Sequence, residues 1–229
     1  MSRAYVVTGG TGALGAAVVR ALVARGDRVA VPYRGASGWA ALAAAAPAER
    51  LYGAPADVAD PDAARTFVDA AAARFGALDG AALLAGGWAG SGSLEVAPEA
   101  EWEAMLRSNL ASAYASCRAL VPHLLGRGAS VVLVGARSAR SGAGMAAYAV
   151  AKSGVAALAR TLALENRERG IRFNLVLPGT IDTPANRRAM PAADPSRWTP
   201  PAAIADVIAF LLSPASAPVS GAEIPVDAR

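Results

Sequence analysis

Residues 8–15 read Thr8-Gly9-Gly10-Thr11-Gly12-Ala13-Leu14-Gly15, directly after the apolar run Ala4-Tyr5-Val6-Val7. Gly10, Gly12 and Gly15 fit the spacing G-x-G-x-x-G, in which glycines permit a tight turn and a close approach of backbone N–H groups to a pyrophosphate. With 23 glycines in the chain the spacing alone says little. Its place between a β-branched run and an alanine-rich helical segment gives it meaning. It assigns a dinucleotide to Gly9, Thr11, Gly12, Ala13, Leu14 and Gly15, at the end of a first strand.

Outward from that turn, short apolar runs alternate with longer alanine-rich segments, as βαβ units around a parallel sheet require. Strands are predicted at 4–8, 28–33, 50–53, 81–85, 130–135, 171–177 and 223–226. Helices are predicted near 13–25, 37–46, 61–75, 98–126, 144–168 and 200–212. Asp60-Pro61 and Thr199-Pro200 each pair an N-cap residue with proline, marking two helix starts. The implied fold is a doubly wound α/β Rossmann arrangement of seven parallel strands with helices on both faces, in one domain over residues 1–229. The irregular stretches 86–97 and 178–199 follow strand ends, where such sheets bind ligands, and 178–199 reads as a substrate lid.

Composition narrows the classes of function. The 229 residues are 54% hydrophobic and 17% charged, within the reach of one core. Met1-Ser2-Arg3 runs straight into the first strand, no signal peptide is evident, and no apolar stretch is long enough to span a membrane. The expectation is a soluble cytoplasmic protein with no membrane partner. One cysteine (Cys117) and one histidine (His123) leave no metal site of the usual Cys/His kind. The net charge of +4 comes from scattered arginines such as Arg20, Arg25, Arg34, Arg50 and Arg65, which argues against a nucleic-acid partner.

Among the 22 basic residues only Lys152 is a lysine, so arginine serves wherever positive charge suffices. Lysine is needed where a compact ammonium with a tunable proton is required. Tyr148-Ala149-Val150-Ala151-Lys152 places a phenol and that ammonium one helical turn apart. With five tyrosines in 229 residues, chance gives this spacing to a lone lysine about once in fifty. A tyrosine titrates near ~10, and a neighbouring ammonium favours its phenolate, so the pair is predicted to exchange a proton near neutrality. The second strand ends Val31-Pro32-Tyr33-Arg34 with no carboxylate nearby. An acid there accepts hydrogen bonds from a ribose 2′-hydroxyl, whereas arginine accommodates a 2′-phosphate, so Tyr33 and Arg34 point to NADPH, with NADH the less favoured cofactor.

Taken together these motifs resemble the short-chain dehydrogenase/reductase family along the whole chain. The resemblance implies that Asp57-Val58 holds the adenine ring and that Asn109 orders a water beside the lysine. It implies that Ala85, Gly86, Gly87, Pro178, Gly179, Thr180, Ile181 and Thr183 contact the cofactor. Tyr148 becomes the proton donor, and Lys152 both binds the nicotinamide ribose and depresses the tyrosine. Catalytic roles thus fall on Tyr148, Lys152 and Asn109.

Two departures refine the resemblance. The family's Asn-Asn-Ala-Gly is replaced by Leu83-Leu84-Ala85-Gly86, followed by Gly87-Trp88-Ala89-Gly90. The family's serine, about thirteen residues before the tyrosine, is replaced by Gly135-Ala136, with Ser138 nearby but offset. Both features, and the run from Thr180 to Pro191 continuing to Ser196-Arg197-Trp198-Thr199-Pro200, resemble the dihydropteridine reductase branch, whose animal enzymes carry an acid after the second strand and use NADH. The resemblance implies hydride transfer to a planar conjugated acceptor, a quinonoid dihydropterin above all. Trp88 could stack on such a ring or be an ordinary half-buried loop residue. Met190 is a substrate candidate that, like Trp198, also suits packing within the lid. The alternatives are an NADPH-dependent carbonyl or imine reductase and a non-catalytic NADPH-binding sensor. The resemblance further implies a homodimer or homotetramer through the helices near 98–126 and 144–168, with Ala111, Ala113, Ala115, Ala156, Ala157 and Ala159 permitting close packing. Cys117 reads as a small apolar residue of that helix, and His123 as structural.

Overall fold

A computed structural model describes residues 2–140 and 142–227 of the chain; Met1 lies outside them. Seven strands, β1 (Ala4–Thr8), β2 (Arg28–Tyr33), β3 (Leu51–Pro55), β4 (Gly80–Leu83), β5 (Ala129–Val134), β6 (Ile171–Pro178) and β7 (Glu223–Val226), form one parallel sheet. Their order is β3-β2-β1-β4-β5-β6-β7, as a doubly wound fold requires. Strand order reverses between β1 and β4, so the two chain directions diverge there and open a crevice at the carboxyl ends.

Both faces of the sheet are covered, which explains the unbroken apolar character of its strands. Val6, Ala81, Val131 and Phe173 pack with residues of α3 (Pro61–Phe75), α5 (Ser112–Leu124) and α6 (Ala146–Glu165). Tyr5, Val7, Val29, Val132 and Val176 point the other way, against α1 (Ala13–Ala24) and α8 (Pro201–Leu212). The polar groups inside this layer are satisfied. The Tyr5 hydroxyl donates to the Leu212 carbonyl at 3.0 Å and Ser130 Oγ to that of Leu211 at 2.7 Å, tying the end of α8 to the sheet.

Several details differ from the sequence reading. Strand ends shift by one or two residues. Asp60 caps α3 by accepting from the Asp62 and Ala63 N–H groups, as expected. The N-cap position of α8 falls on Pro200 rather than Thr199, and Thr199 donates its N–H to the Thr180 carbonyl. The single helix expected near 98–126 is α4 (Glu99–Met105), a π-helical segment (Leu106–Ala111) and α5. Within and beside that segment Ser108, Asn109 and Ser112 return hydrogen bonds to carbonyls four residues back. The stretch 178–199 holds a short helix, α7 (Pro184–Ala189), where none was expected. Ala113, Ala115, Ala159 and Cys117 face the chain's own core, because their side of α5 and α6 covers the sheet. They are therefore closed to any partner. Among the described residues no helix is long and apolar enough to cross a membrane.

The remaining helix, α2 (Ala36–Ala44), carries Trp39, which stacks on Tyr33 with ring centroids 5.3 Å apart. Gly53 on β3 makes room for it, since a Cβ there would run into the indole. Gly53→Ala is therefore expected to cost about 1–3 kcal/mol in urea unfolding and to shift the tryptophan emission of the native state. Unchanged stability and emission would count against this packing.

Candidate active site

A cleft of about 860 Å3 opens at the β1/β4 crevice. Its lining includes Gly9, Thr11, Gly12, Ala13, Leu14 and Gly15, with Tyr33 and Arg34, Asp57 and Val58, and Ala85 and Gly86. Its floor is backbone. Gly9 has φ +67°, and a Cβ on it would lie 2.9 Å from the Leu84 carbonyl and the Ala85 N–H nitrogen. A Cβ on Gly15 would overlap the Gly9 carbonyl and stand 2.6 Å from Gly10 Cα. These neighbours are backbone and cannot swing aside, so a side chain at either position would force the turn away from β4 or from the start of α1. The Thr8 hydroxyl accepts from the Leu84 and Ala85 N–H groups at 3.1 and 3.2 Å, holding the β4 end beside the glycine turn.

At the far end of the cleft, Asp57 accepts from Arg107 Nη2 at 2.6 Å and from the Ala59 N–H at 3.0 Å. The Ala59 bond first, and the guanidinium with it, hold this carboxyl below the usual range. Arg34 is exposed at the tip of β2 and, among the described residues, makes no hydrogen bond or ion pair.

Beyond β4 the chain runs through Gly86, over which two side chains close. A Cβ on Gly86 would collide with Asn109 Oδ1 and lie 3.4 Å from Lys152 Nζ. Asn109 is buried in the π-helical segment and clamps Gly87 from both sides. It donates to the Gly87 carbonyl at 3.1 Å and accepts from its N–H at 3.3 Å. Lys152, also buried, donates to the Val134 carbonyl at 2.9 Å. Its ammonium sits 6.0 Å from the centre of the Tyr148 ring.

The electrostatics differ from the sequence expectation. Burial pushes the Tyr148 phenol up to about 12 and lowers the Lys152 ammonium to about 8. Desolvation of both groups outweighs their mutual attraction here, because the ammonium is turned toward Val134 rather than held against the phenolic oxygen. At neutral pH Tyr148 is a protonated phenol.

The substrate side is poor in hydroxyls. A side chain at Gly135 would meet Leu177 Cδ2 at 2.7 Å, which leaves Ala136, itself buried, as the position for a polarising group. Ser138 is exposed on a 3-10 turn (Arg137–Arg140) and does not take that place. Trp88 is 55% exposed rather than half-buried, and its indole edge lies beside Gly90. Met190 follows α7 at 38% exposure, whereas Trp198 is buried. His123 pairs with Asp69 at 2.8 Å between α5 and α3, a structural contact.

Pro178, Gly179, Thr180 and Ile181 form the neck of the lid, where Ile181 bridges to Thr199. None of these four lines the cleft; Thr183 does, and its hydroxyl caps α7 by accepting from the Asn186 N–H. The sequence reading missed Arg107, Arg188, Pro184 and Ala185, which also line the cleft. The Ser108, Asn109 and Ser112 cluster was the legible sign of the π-helical segment, since such residues back-bond within helices.

Comparison with known proteins agrees with this geometry. The family described as Enoyl-(Acyl carrier protein) reductase matches residues 10–228. The 2-(R)-hydroxypropyl-CoM dehydrogenase of Xanthobacter autotrophicus is 31% identical, over 99% of this chain and 98% of its own length. A short-chain type dehydrogenase/reductase from Mycobacterium ulcerans superposes with a TM-score of 0.92 at 27% identity, over 99% of this chain and 90% of its own. A short chain oxidoreductase from Pseudomonas aeruginosa PAO1, described as containing an atypical catalytic center, gives 0.89 at 28% identity, over 98% and 95% of the two chains.

The chain belongs to the short-chain dehydrogenase/reductase family. It is an NAD(P)-dependent oxidoreductase, of a kind acting on carbonyl and hydroxyl compounds. The backbone-lined turn fits such a cofactor, because Gly9 and Gly15 let β1, the turn and the start of α1 close together as a dinucleotide site requires, which a Cβ at either would prevent.

The buried ammonium makes stability depend on pH in a defined sense. Lys152 titrates near 8 in the folded chain and near 10.5 when exposed, so the unfolded chain binds more protons between those values. Stability therefore rises with pH across that window. Lys152→Met is expected to be the more stable protein at pH 7, by on the order of 2 kcal/mol, with the gap closing by pH 10. Urea unfolding of both proteins checks it; parallel pH profiles would contradict it.

Proposed function

We propose that this chain is an NADPH-dependent reductase of a planar conjugated acceptor, with a quinonoid dihydropterin as the acceptor it suits best. The observation that carries this reading is Ala136 standing where a carbonyl-polarising hydroxyl is expected, with Ser138 turned to solvent. A simple ketone gains much of its reactivity from such a hydrogen bond. A quinonoid dihydropterin is already electron-poor and needs only a hydride and a proton. Trp88, exposed in the loop that follows β4, offers a face for a flat ring.

NADPH bound in the cleft supplies the hydride. Tyr148, which carries its proton at neutral pH, gives it to the acceptor nitrogen as that nitrogen gains negative charge from the hydride. Lys152 has donor capacity beyond its Val134 bond, which serves the nicotinamide ribose. Asn109 fixes the Gly86–Gly87 turn and, beside the ammonium, orders the water relay that restores the tyrosine proton. Arg34, exposed at the tip of β2, takes the 2′-phosphate, and Asp57, the acid whose carboxyl its charge reaches, is already held by Arg107. A second copy of the chain packs on α5 and α6, which expose Tyr114, Val150 and Leu164.

A second reading, an NADPH-dependent carbonyl reductase, is favoured by the likeness to 2-(R)-hydroxypropyl-CoM dehydrogenase. NADPH oxidation with quinonoid 6,7-dimethyldihydropterin made in situ separates the two. Saturable turnover above the enzyme-free rate is expected for the pterin and not for a panel of simple ketones; the reverse pattern selects the second reading. Tyr148→Phe is expected to lower kcat at least ~10²-fold, and an unimpaired variant would remove its role. Arg34→Gln is expected to raise Kd for NADPH about 10-fold or more while sparing NADH. Equal effects on both cofactors would refute a 2′-phosphate site.

A further inference from the structure

Among the described residues three arginines line the cleft, Arg34, Arg107 and Arg188, and no other cationic side chain does so. Arg107 is neutralised by Asp57. Arg34 stands at the tip of β2, remote in the chain from the glycine turn. The turn itself, residues 8–15, carries no charged side chain. Backbone N–H groups alone would therefore face a pyrophosphate with two negative charges, unless Arg188 reaches it.

The geometry of the lid places Arg188 for that purpose. Thr183 caps α7, and Arg187 forks onto Asp182 with two bonds of 2.6 and 2.8 Å. This fork ties the short helix to the neck at Ile181 and Thr199 and fixes its rotation. Arg188, about 100° further round the helix, shares the cleft lining with Thr183, Pro184 and Ala185 on one side and Gly12, Ala13 and Leu14 on the other. Tyr148 and Trp88, the residues assigned to the acceptor, are not among the lining residues, so this part of the lid covers the dinucleotide rather than the acceptor. Among the described residues Arg188 makes no hydrogen bond or ion pair, in contrast to its neighbour Arg187.

We infer that Arg188 is a cofactor-binding residue contributed by the lid, whose guanidinium grips the pyrophosphate across the cleft from the glycine turn. A planar fork of N–H donors matches phosphate oxygens, and the bond is charge-assisted. One arginine of the Arg187-Arg188 pair sets the helix and the other holds the ligand, so a bound dinucleotide draws the lid over itself. The inference rests on the dinucleotide reading of the cleft and is independent of the choice between NADPH and NADH.

Calorimetric titration of NADPH, NADH and 2′-AMP into the parent chain, R188Q, R188K and R34Q tests it. R188Q is expected to raise Kd for both dinucleotides about 10-fold, with R188K recovering part of the loss. Binding of 2′-AMP, which lacks the pyrophosphate, is expected to be unchanged in R188Q and weakened in R34Q. The R188Q loss is expected to shrink at high salt, as an ionic contact requires. An unaltered Tm of ligand-free R188Q would show that the fold is intact. If R188Q binds both dinucleotides as tightly as the parent, or weakens 2′-AMP equally, the inference is overturned. A raised KM for the acceptor with unchanged cofactor Kd would also overturn it, assigning Arg188 to the substrate.

Discussion

The site depends on a contact that only backbone can make. Gly15 at the start of α1 rests on the Gly9 carbonyl, and Gly9 in turn lies against Leu84 and Ala85 at the end of β4. These close approaches set the distance between the two strands at the crevice. They also carry β4 forward into Gly86, over which Asn109 Oδ1 and Lys152 Nζ meet. A Cβ at any of these three glycines would push apart groups that the chemistry needs together. The apolar sheet supplies the rigidity for this arrangement, with both faces packed and the buried Tyr5 and Ser130 hydroxyls hydrogen-bonded to carbonyls of α8.

Around this backbone floor the charges are arranged sparingly. The Lys152 ammonium is taken out of water with the Val134 carbonyl as its acceptor, and burial rather than a neighbouring charge governs its proton. Tyr148, desolvated in the same region, remains a phenol at neutral pH. On the proposed reading the phenol holds the proton that reduction needs, and the missing hydroxyl at Ala136 limits which acceptors gain enough activation.

Much of this was legible in the sequence because it depended on local pattern. The glycine spacing after a β-branched run, the Asp60-Pro61 helix start and the isolated Tyr148–Lys152 pair each follow from residues near one another in the chain. What was not legible depended on how elements turn toward each other. Ala113, Ala115 and Ala159 could serve a partner or the sheet, and only the rotation of α5 and α6 decides for the sheet. The proton affinity of Tyr148 hinges on whether Lys152 points at its oxygen or at Val134, which spacing along a helix does not specify. Arg107 and Arg188 looked like two more scattered arginines until the fold brought them to one cleft.

The central claim is that the absence of a hydroxyl at Ala136 selects the acceptor. The most direct measurement is kcat/KM for a simple ketone and for the quinonoid pterin in Ala136→Ser and the parent chain. A serine restored there is expected to raise ketone reduction by at least ~10-fold while leaving pterin reduction within about 2-fold, because only the ketone needs the added hydrogen bond. An unchanged ratio of the two activities, or a parent chain that already reduces the ketone as well as the serine variant does, would contradict the account.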